Sequence, residues 1–130
     1  MAQVLIVDDD PAIREMLDEL LRDEGYDTLR AADGRSAVEI ARSSHPSLIL
    51  MDLMLPVLDG AAAIRLLKNA PHTQQIRIIA MSAGANLRLH ADHLPADSVL
   101  GKPFDLDALL ADVAIQTQAT RSSDSGSVAS

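Results

Sequence analysis

Five side chains that could act together on a charged ligand lie at or near the ends of apolar runs in this chain. They are Asp8, Asp9, Asp52, Ser82 and Lys102. The runs resemble buried parallel strands, and open α/β sheets bind ligands just outside the carboxyl ends of such strands. Two carboxylates about 4 Å apart repel by ~4 kcal/mol at an effective dielectric near 20, so three of them need a cation. Because the cluster contains only oxygen ligands, it predicts a Mg²⁺ site.

The ligand that best fits this set of residues is a phosphoryl group. A carboxylate can act as its nucleophile, as in aspartyl-phosphate enzymes, and Asp52 directly follows four large apolar residues at 48–51. Lys102 and the metal would neutralise charge on the equatorial phosphoryl oxygens. Taken singly, an Asp after a strand is usually a turn former and three Asp residues before a helix are usually a cap. The prediction therefore depends on the whole set.

The elements that must position these residues alternate strictly between strand and helix. Strands are predicted at residues 4–7, 28–31, 48–52, 76–81 and 97–100. Helices are predicted after Asp10, after Asp33, at 59–69, at 85–93 and after Asp105. Five β–α pairs in this order predict an α/β fold, a doubly wound five-stranded parallel sheet with five helices on its two faces.

Composition narrows the class of protein further. The chain has 130 residues, 48% of them hydrophobic, a net charge of −8 and no cysteine. The acidic balance argues against direct nucleic-acid binding, and no apolar run reaches the ~18 residues of a membrane span. No segment resembles a signal peptide, so we expect a cytoplasmic protein. The chain is expected to divide into a domain at residues 1–116 and a disordered Ser/Thr-rich tail at 117–130.

Four motifs in order give the chain a resemblance to the receiver domains of two-component response regulators. The resemblance covers the chain to about residue 116. The motifs are Leu5-Ile6-Val7-Asp8-Asp9, Asp52 with Pro56 and Asp59-Gly60 after it, Ala80-Met81-Ser82-Ala83, and Gly101-Lys102-Pro103-Phe104. No output domain is recognised beside them, so the resemblance indicates a stand-alone, single-domain receiver with the flavodoxin-like strand order 2-1-3-4-5.

This resemblance implies a role for each acidic residue of the cluster. Asp52 would be the phosphoacceptor, and its phosphoryl group would come from a histidine kinase or a phosphotransfer protein. Mg²⁺ would be bound by Asp9, Asp52 and the Met54 carbonyl, with Asp8 acting through a water molecule. The protein would then be a signalling switch that catalyses only its own phosphorylation and dephosphorylation, rather than an enzyme with a separate substrate.

The resemblance also implies how the switch is read, with one departure. Ser82 and Lys102 would bind the phosphoryl oxygens, and the Lys102–Pro103 peptide would be cis. Phosphorylation would change the face formed by the fourth helix, fifth strand and last helix, and so control an unknown downstream protein. Where the family usually has Tyr or Phe, this chain has Val99, which is too small and stiff to gate by rotation.

Two alternatives belong to other functional classes. Val99 alone favours a receiver-like scaffold that is not phosphorylated and binds partners through the same face. A flavodoxin-like phosphatase or nucleotide binder is disfavoured, because no Gly-rich phosphate loop follows the first strand. The pair His90 and His93 has the spacing of helical metal ligands but no evident third ligand, so a solvated face is predicted there.

Overall fold

The computed structural model describes residues 2–83, 94–103 and 105–129. These residues form five strands and four helices. In chain order the elements are β1 (Gln3–Val7), α1 (Pro11–Asp23), β2 (Asp27–Ala31), α2 (Gly34–Ser44), β3 (Leu48–Asp52), α3 (Gly60–Asn69), β4 (Arg77–Ala83), β5 (Ser98–Lys102) and α4 (Leu106–Ala129). The helix predicted at 85–93, and with it His90 and His93, lies outside the described residues.

The sheet has the predicted architecture. All neighbouring strands are parallel, and their order is β2-β1-β3-β4-β5. The central strand β3 is buried along its whole length, as its unbroken run of apolar residues predicted. The predicted strands were correct in number and place, but their ends differ. Lys102 was expected just past the fifth strand and Ser82 at the end of the fourth, whereas both lie within the β4–β5 ladder.

Two aliphatic cores cover the two faces of the sheet. One contains side chains of α2 and α3, such as Val38, Ile64 and Leu67, packed on one face. The other contains Leu17 and Leu21 of α1, together with residues of α4, on the opposite face. Their side chains are completely or almost completely buried, so the apolar area removed from water fixes the helices on both sides of the sheet.

Four aspartates cap the described helices, which sets where each helix starts beside the sheet. One of them, Asp105, accepts a hydrogen bond from the Asp107 N–H in the first turn of α4. The side chains of Asp10, Asp33 and Asp59 accept hydrogen bonds from backbone N–H groups in the first turns of α1, α2 and α3. Pro11 occupies the first turn of α1, as predicted. Gly25 follows that helix with φ of 95°, a left-handed conformation that glycine adopts without strain.

The last helix is longer than predicted. α4 continues to Ala129, through the segment expected to be a disordered tail. Gln116 and Thr117 are buried, and beyond them the sequence is rich in Ser. That composition offers little apolar surface to pack against the domain. The division of the chain at residue 116 stays a prediction. Within the described residues, no helix combines the length and hydropathy that crossing a membrane requires.

Asp97 joins three elements in an arrangement that the sequence did not predict. Its carboxylate accepts hydrogen bonds from Lys68 of α3 at 2.9 Å and from Arg77 of β4 at 3.2 Å. Asp97, which directly precedes β5, also accepts a hydrogen bond from the backbone N–H of Ile78 at 2.8 Å. Lys68 in turn donates to the Ile76 carbonyl at 2.7 Å. The half-buried carboxylate therefore fixes the amino-terminal ends of β4 and β5 against α3.

Replacing Asp97 should destabilise the fold far more than breaking an exposed ion pair. Asp97→Ala removes the carboxylate acceptor of Arg77 and of the Ile78 N–H group, and leaves Lys68 with backbone carbonyl acceptors but no counter-charge. We expect a loss of about 2–3 kcal/mol in the free energy of unfolding. The matched control is Glu39→Ala, which breaks an exposed pair with Arg35 and should change stability by no more than ~0.5 kcal/mol. Urea denaturation measures both values. Equal effects would contradict the proposed role of Asp97.

Candidate active site

The site is built where three strands end at one edge of the sheet. Asp8 directly follows β1, Asp52 is the last residue of β3, and Lys102 is the last residue of β5. The Lys102 ammonium donates hydrogen bonds to Asp8 Oδ2 at 3.0 Å and to Asp52 Oδ2 at 3.2 Å. β4 separates β5 from β3, so the length of the lysine side chain is what joins the three strand ends.

Three carboxylates approach one another here. Oxygen atoms of Asp8, Asp9 and Asp52 all lie within 4.8 Å of each other. Asp8 is fully buried and Asp52 is only 4% exposed, whereas Asp9 is exposed. Two of the three negative charges are therefore removed from water, and Lys102 is the cation that contacts both of them. The predicted crowding of acidic groups is confirmed.

Burial and charge shift the pKa values of the two groups at the centre of the site. Burial raises the pKa of the Asp52 carboxyl, against the opposing effects of the Met54 N–H and the Lys102 charge, while Asp8 raises it further. Burial acts to lower the pKa of Lys102, but its hydrogen bond to Asp8 and its attraction to Asp52 outweigh this, and its pKa is raised. Lys102 therefore remains protonated between the two carboxylates.

The loop after β3 fixes the Asp52 side chain and leaves no room beside its backbone. The Met54 N–H donates to Asp52 Oδ1 at 3.0 Å, and the Gly60 N–H donates to the Leu53 carbonyl at 3.2 Å. A Cβ atom at Gly60 would lie 2.0 Å from the Asp52 carbonyl oxygen, far inside van der Waals contact. The sequence identified Asp59-Gly60 as a motif, and the structure supplies the physical reason for the glycine.

The loop after β1 is held by a residue that sequence reasoning missed. Arg14 donates from its guanidinium to the Asp8 carbonyl at 2.8 Å, and Asp8 Oδ1 accepts the Asp10 N–H at 3.0 Å. Arg14 thus adds a second cation close to the acidic cluster. Its position one turn after the helix cap was the available signal, but an arginine in a first helical turn is too common to indicate a site.

Ser82 lies beside this cluster, although no described contact joins it to the others. It is a buried residue of β4, and it pairs with Gly101, the residue before Lys102. Its contact with phosphoryl oxygens stays a prediction, as does the Met54 carbonyl as a metal ligand. The Lys102–Pro103 peptide is cis, as the resemblance implied. The part of the fourth motif at Phe104 lies outside the described residues.

The donor set fits a hard divalent cation. The three carboxylates offer only oxygen atoms, they come from two adjacent strands, and one of them is exposed to solvent. Mg²⁺ is usually held by one or two carboxylates and several waters, so an open edge of this kind suits it better than a closed cage. The arrangement can therefore bind a metal and a phosphoryl group side by side.

Comparisons with known proteins place this chain in one family. The family model described as "Response regulator receiver domain" matches residues 4–114. The chain belongs to this family. Receiver domains are the phosphorylatable, Mg²⁺-binding switches of two-component systems.

Curated relatives and solved structures agree with this assignment. The chain is 36% identical to the DNA-binding dual master transcriptional regulator RpaA of Synechocystis, over 87% of this chain and 48% of that protein. It is 36% identical to sporulation initiation phosphotransferase F of Bacillus subtilis, over 82% of this chain and 86% of that protein. The chain thus spans about half the length of the first relative and most of the second.

Among solved structures, a receiver domain with magnesium in its active-site cleft is similar to this chain. It belongs to the sensor histidine kinase PA1611 of Pseudomonas aeruginosa, with a TM-score of 0.84 and 30% identity over 90% of this chain and 98% of that one. A response regulator structure from Chloroflexus aurantiacus has a TM-score of 0.85 and 29% identity, covering 90% and 98% of the two chains.

Neutralising Asp52 should stabilise the protein in the absence of divalent cations. Folding raises the pKa of Asp52, so the folded state binds its proton more tightly and stability falls as the pH rises from about 4 through that raised value. Asp52→Asn removes this loss and should melt a few degrees higher at pH 7 in EDTA. The advantage should shrink towards pH 4.

Asp27→Asn is the control for this prediction, because Asp27 is exposed at the start of β2. It should leave the melting temperature nearly unchanged at both pH values. If Asp52→Asn melted lower than the wild type in EDTA, the carboxylate would be a net stabilising group and the argument from burial would be wrong.

Proposed function

We propose that Asp52 accepts a phosphoryl group and that Mg²⁺ is required for the transfer. The single observation that supports this most is the buried Asp52 carboxylate at the end of β3, hydrogen-bonded to Lys102 and within 4.8 Å of two further carboxylates. Burying a carboxylate lowers the stability of the fold, so a buried carboxylate usually has a function. This one lies at the sheet edge where α/β proteins bind ligands.

Each residue of the cluster has a chemical role in this proposal. An Asp52 oxygen attacks phosphorus, forming a P–O bond while the bond from phosphorus to the donor's leaving group breaks. Lys102 lies within hydrogen-bond reach of Asp52 and carries the positive charge that the transferred oxygens need. Ser82 is the proposed hydroxyl donor to those oxygens. Because the Met54 N–H donates a hydrogen bond to one Asp52 oxygen, the carboxylate is already oriented before the phosphoryl donor binds.

The proposed metal ligands are Asp9, Asp52 and the Met54 carbonyl, with Asp8 acting through water. When bound, Mg²⁺ supplies positive charge that offsets the crowded carboxylates and the phosphoryl oxygens. The exposure of Asp9 leaves that carboxylate accessible from solvent, while the buried Asp8 already has Lys102 as its partner. The exposure of Asp9 supports its direct role, whereas the water-mediated role of Asp8 follows the resemblance to the family, because Asp52 shares the Lys102 contact.

The proposed phosphoryl donor is a histidine kinase or a phosphotransfer protein, and the proposed output is a downstream protein. The output face would include β5 and α4. Val99 of β5 packs against the core on the α2–α3 side of the sheet. The fourth predicted helix of that face lies outside the described residues. We further propose that the chain works in the cytoplasm, without direct nucleic-acid binding and without a reaction beyond its own phosphorylation and dephosphorylation.

The alternative of an unphosphorylated scaffold is favoured only by Val99. Against it are the acidic cluster with its hydrogen-bonded lysine and the membership of a phosphorylatable family. A scaffold would gain nothing from burying Asp8 and Asp52 next to each other. Phosphorylation is therefore the better supported function.

Acetyl phosphate with Mg²⁺ should label the chain once, at Asp52. We expect the intact mass to increase by one phosphoryl group, and we expect EDTA to abolish the increase. Asp52→Asn should show no labelling while keeping the wild-type fold, and Asp27→Asn should be labelled like the wild type. Equal labelling of Asp52→Asn, or labelling that EDTA does not reduce, would contradict the assignment.

Mg²⁺ should also stabilise the folded protein, because the cluster exists only in the native state. At a free Mg²⁺ concentration about 100-fold above its dissociation constant, the gain is ~2.7 kcal/mol, visible as a higher melting temperature. Asp9→Asn should lose most of this gain while melting like the wild type in EDTA. A wild-type melting temperature that did not respond to Mg²⁺ would exclude a metal site at these residues.

A further inference from the structure

Val57 adopts a backbone conformation that disfavours valine. Its φ is 68°, in the left-handed region, where a β-branched side chain is strained and where glycine or asparagine is preferred. The side chain is 79% exposed, so it gains almost no burial in return. Backbone conformations of this kind cluster at functional and ligand-binding segments, which makes the surroundings of Val57 a candidate for one.

The exposed Val57 side chain lines a groove with a volume of about 410 Å³ between α2 and α3. We call it the α2–α3 groove and define it by Arg35, Glu39, Arg42, Val57, Leu58 and Leu66. Leu66 is 46% exposed, so the groove presents two large apolar side chains to solvent, with charged residues of α2 along one wall. An exposed apolar surface with a polar rim is typical of a protein-binding site.

Basic residues outnumber acidic ones in this groove, in contrast to the chain as a whole. Arg35 and Arg42 line it with one acidic residue, Glu39, whereas the net charge of the chain is −8. Glu39, the acidic one, forms only a long, exposed pair with Arg35 at 3.7 Å. Arg42 lies in the last turn of α2 and lines the groove. A ligand with acidic groups would therefore be attracted to the groove.

The groove is already formed, because its walls are joined by backbone contacts. A Cβ atom at Gly34 would lie 1.9 Å from the Leu58 carbonyl oxygen, so the first residue of α2 packs directly on the loop that carries Val57. Ala37, Val38 and Ala41 hold the same helix on the core shared with α3. A preformed groove binds a ligand without the loss of conformational entropy that ordering its walls would require.

We propose that the α2–α3 groove binds an amphipathic helix of a partner protein, whose apolar stripe contacts Val57 and Leu66 and whose flanking residues are acidic. Helices of this kind dock into apolar grooves through side chains spaced at i, i+4 and i+7. A second copy of this chain fits less well, because it would place arginine opposite arginine between two molecules of net charge −8. Binding does not require phosphorylation of Asp52.

The test uses the full chain and a displayed library of 18-residue helical peptides. Each peptide carries Leu at i, i+4 and i+7, and its flanking positions are randomised among Glu, Lys, Ser and Gln. We expect selection on the wild type to enrich Glu at the flanks. The enriched peptide, labelled with a fluorophore, then serves as the probe for binding by anisotropy.

Val57→Asn is the decisive variant, because asparagine tolerates the left-handed conformation but removes the apolar side chain. It should raise the melting temperature by roughly 2 °C or more and weaken peptide binding at least about tenfold. A purely structural role could not move stability and binding in opposite directions. Arg42→Glu should weaken binding similarly at an unchanged melting temperature. Ile115→Asn, which changes an exposed apolar residue of α4, should alter neither.

Several outcomes would overturn the proposal. These are enrichment of Lys or of no residue at the flanks, undiminished binding to Val57→Asn, displacement of the peptide by a short DNA duplex, or self-association that Val57→Asn abolishes. Labelling of the same variants by acetyl phosphate separates this result from the proposed function. Val57→Asn should be labelled like the wild type, so failure of one proposal leaves the other standing.

Discussion

The Lys102 ammonium, held between two buried carboxylates, is the interaction on which the site depends. Asp8 and Asp52 come from adjacent strands, and only a cation can keep both ionised out of water. That cation reaches them from β5, across the intervening β4, in the strand order β2-β1-β3-β4-β5. Fold and chemistry are thus coupled, because this strand order sets the distance that the Lys102 side chain spans to contact both carboxylates.

A conflict between stability and activity follows from the same arrangement. The burial that raises the pKa of Asp52 also orients it, through the Met54 N–H on one oxygen and Lys102 on the other. The surrounding aliphatic cores must offset this cost, and they do so with side chains that are almost completely buried on both faces of the sheet. The buried aliphatic residues, which take no part in the chemistry, therefore supply the stability that the site requires.

The sequence predicted the features that depend on neighbouring residues and missed those that depend on residues far apart in the chain. The β3 strand, the helix caps and the acidic residues at strand ends are encoded by neighbouring residues, so the local sequence pattern was enough to predict them. The Asp97 network depends on contacts 19 to 29 residues apart, and these become visible only once β4 and β5 are paired. The φ of Val57 was hidden for another reason, because valine is not the residue that such a conformation favours.

The contact between Gly60 and the Asp52 carbonyl has a mechanical meaning. The first residue of α3 sits so close to that peptide group that a single added carbon could not fit between them. A close-packed contact has no slack, so the backbone of Asp52 and the start of α3 have to shift together or not at all. Any displacement of the end of β3 must therefore also displace the start of α3, without a side chain having to rotate.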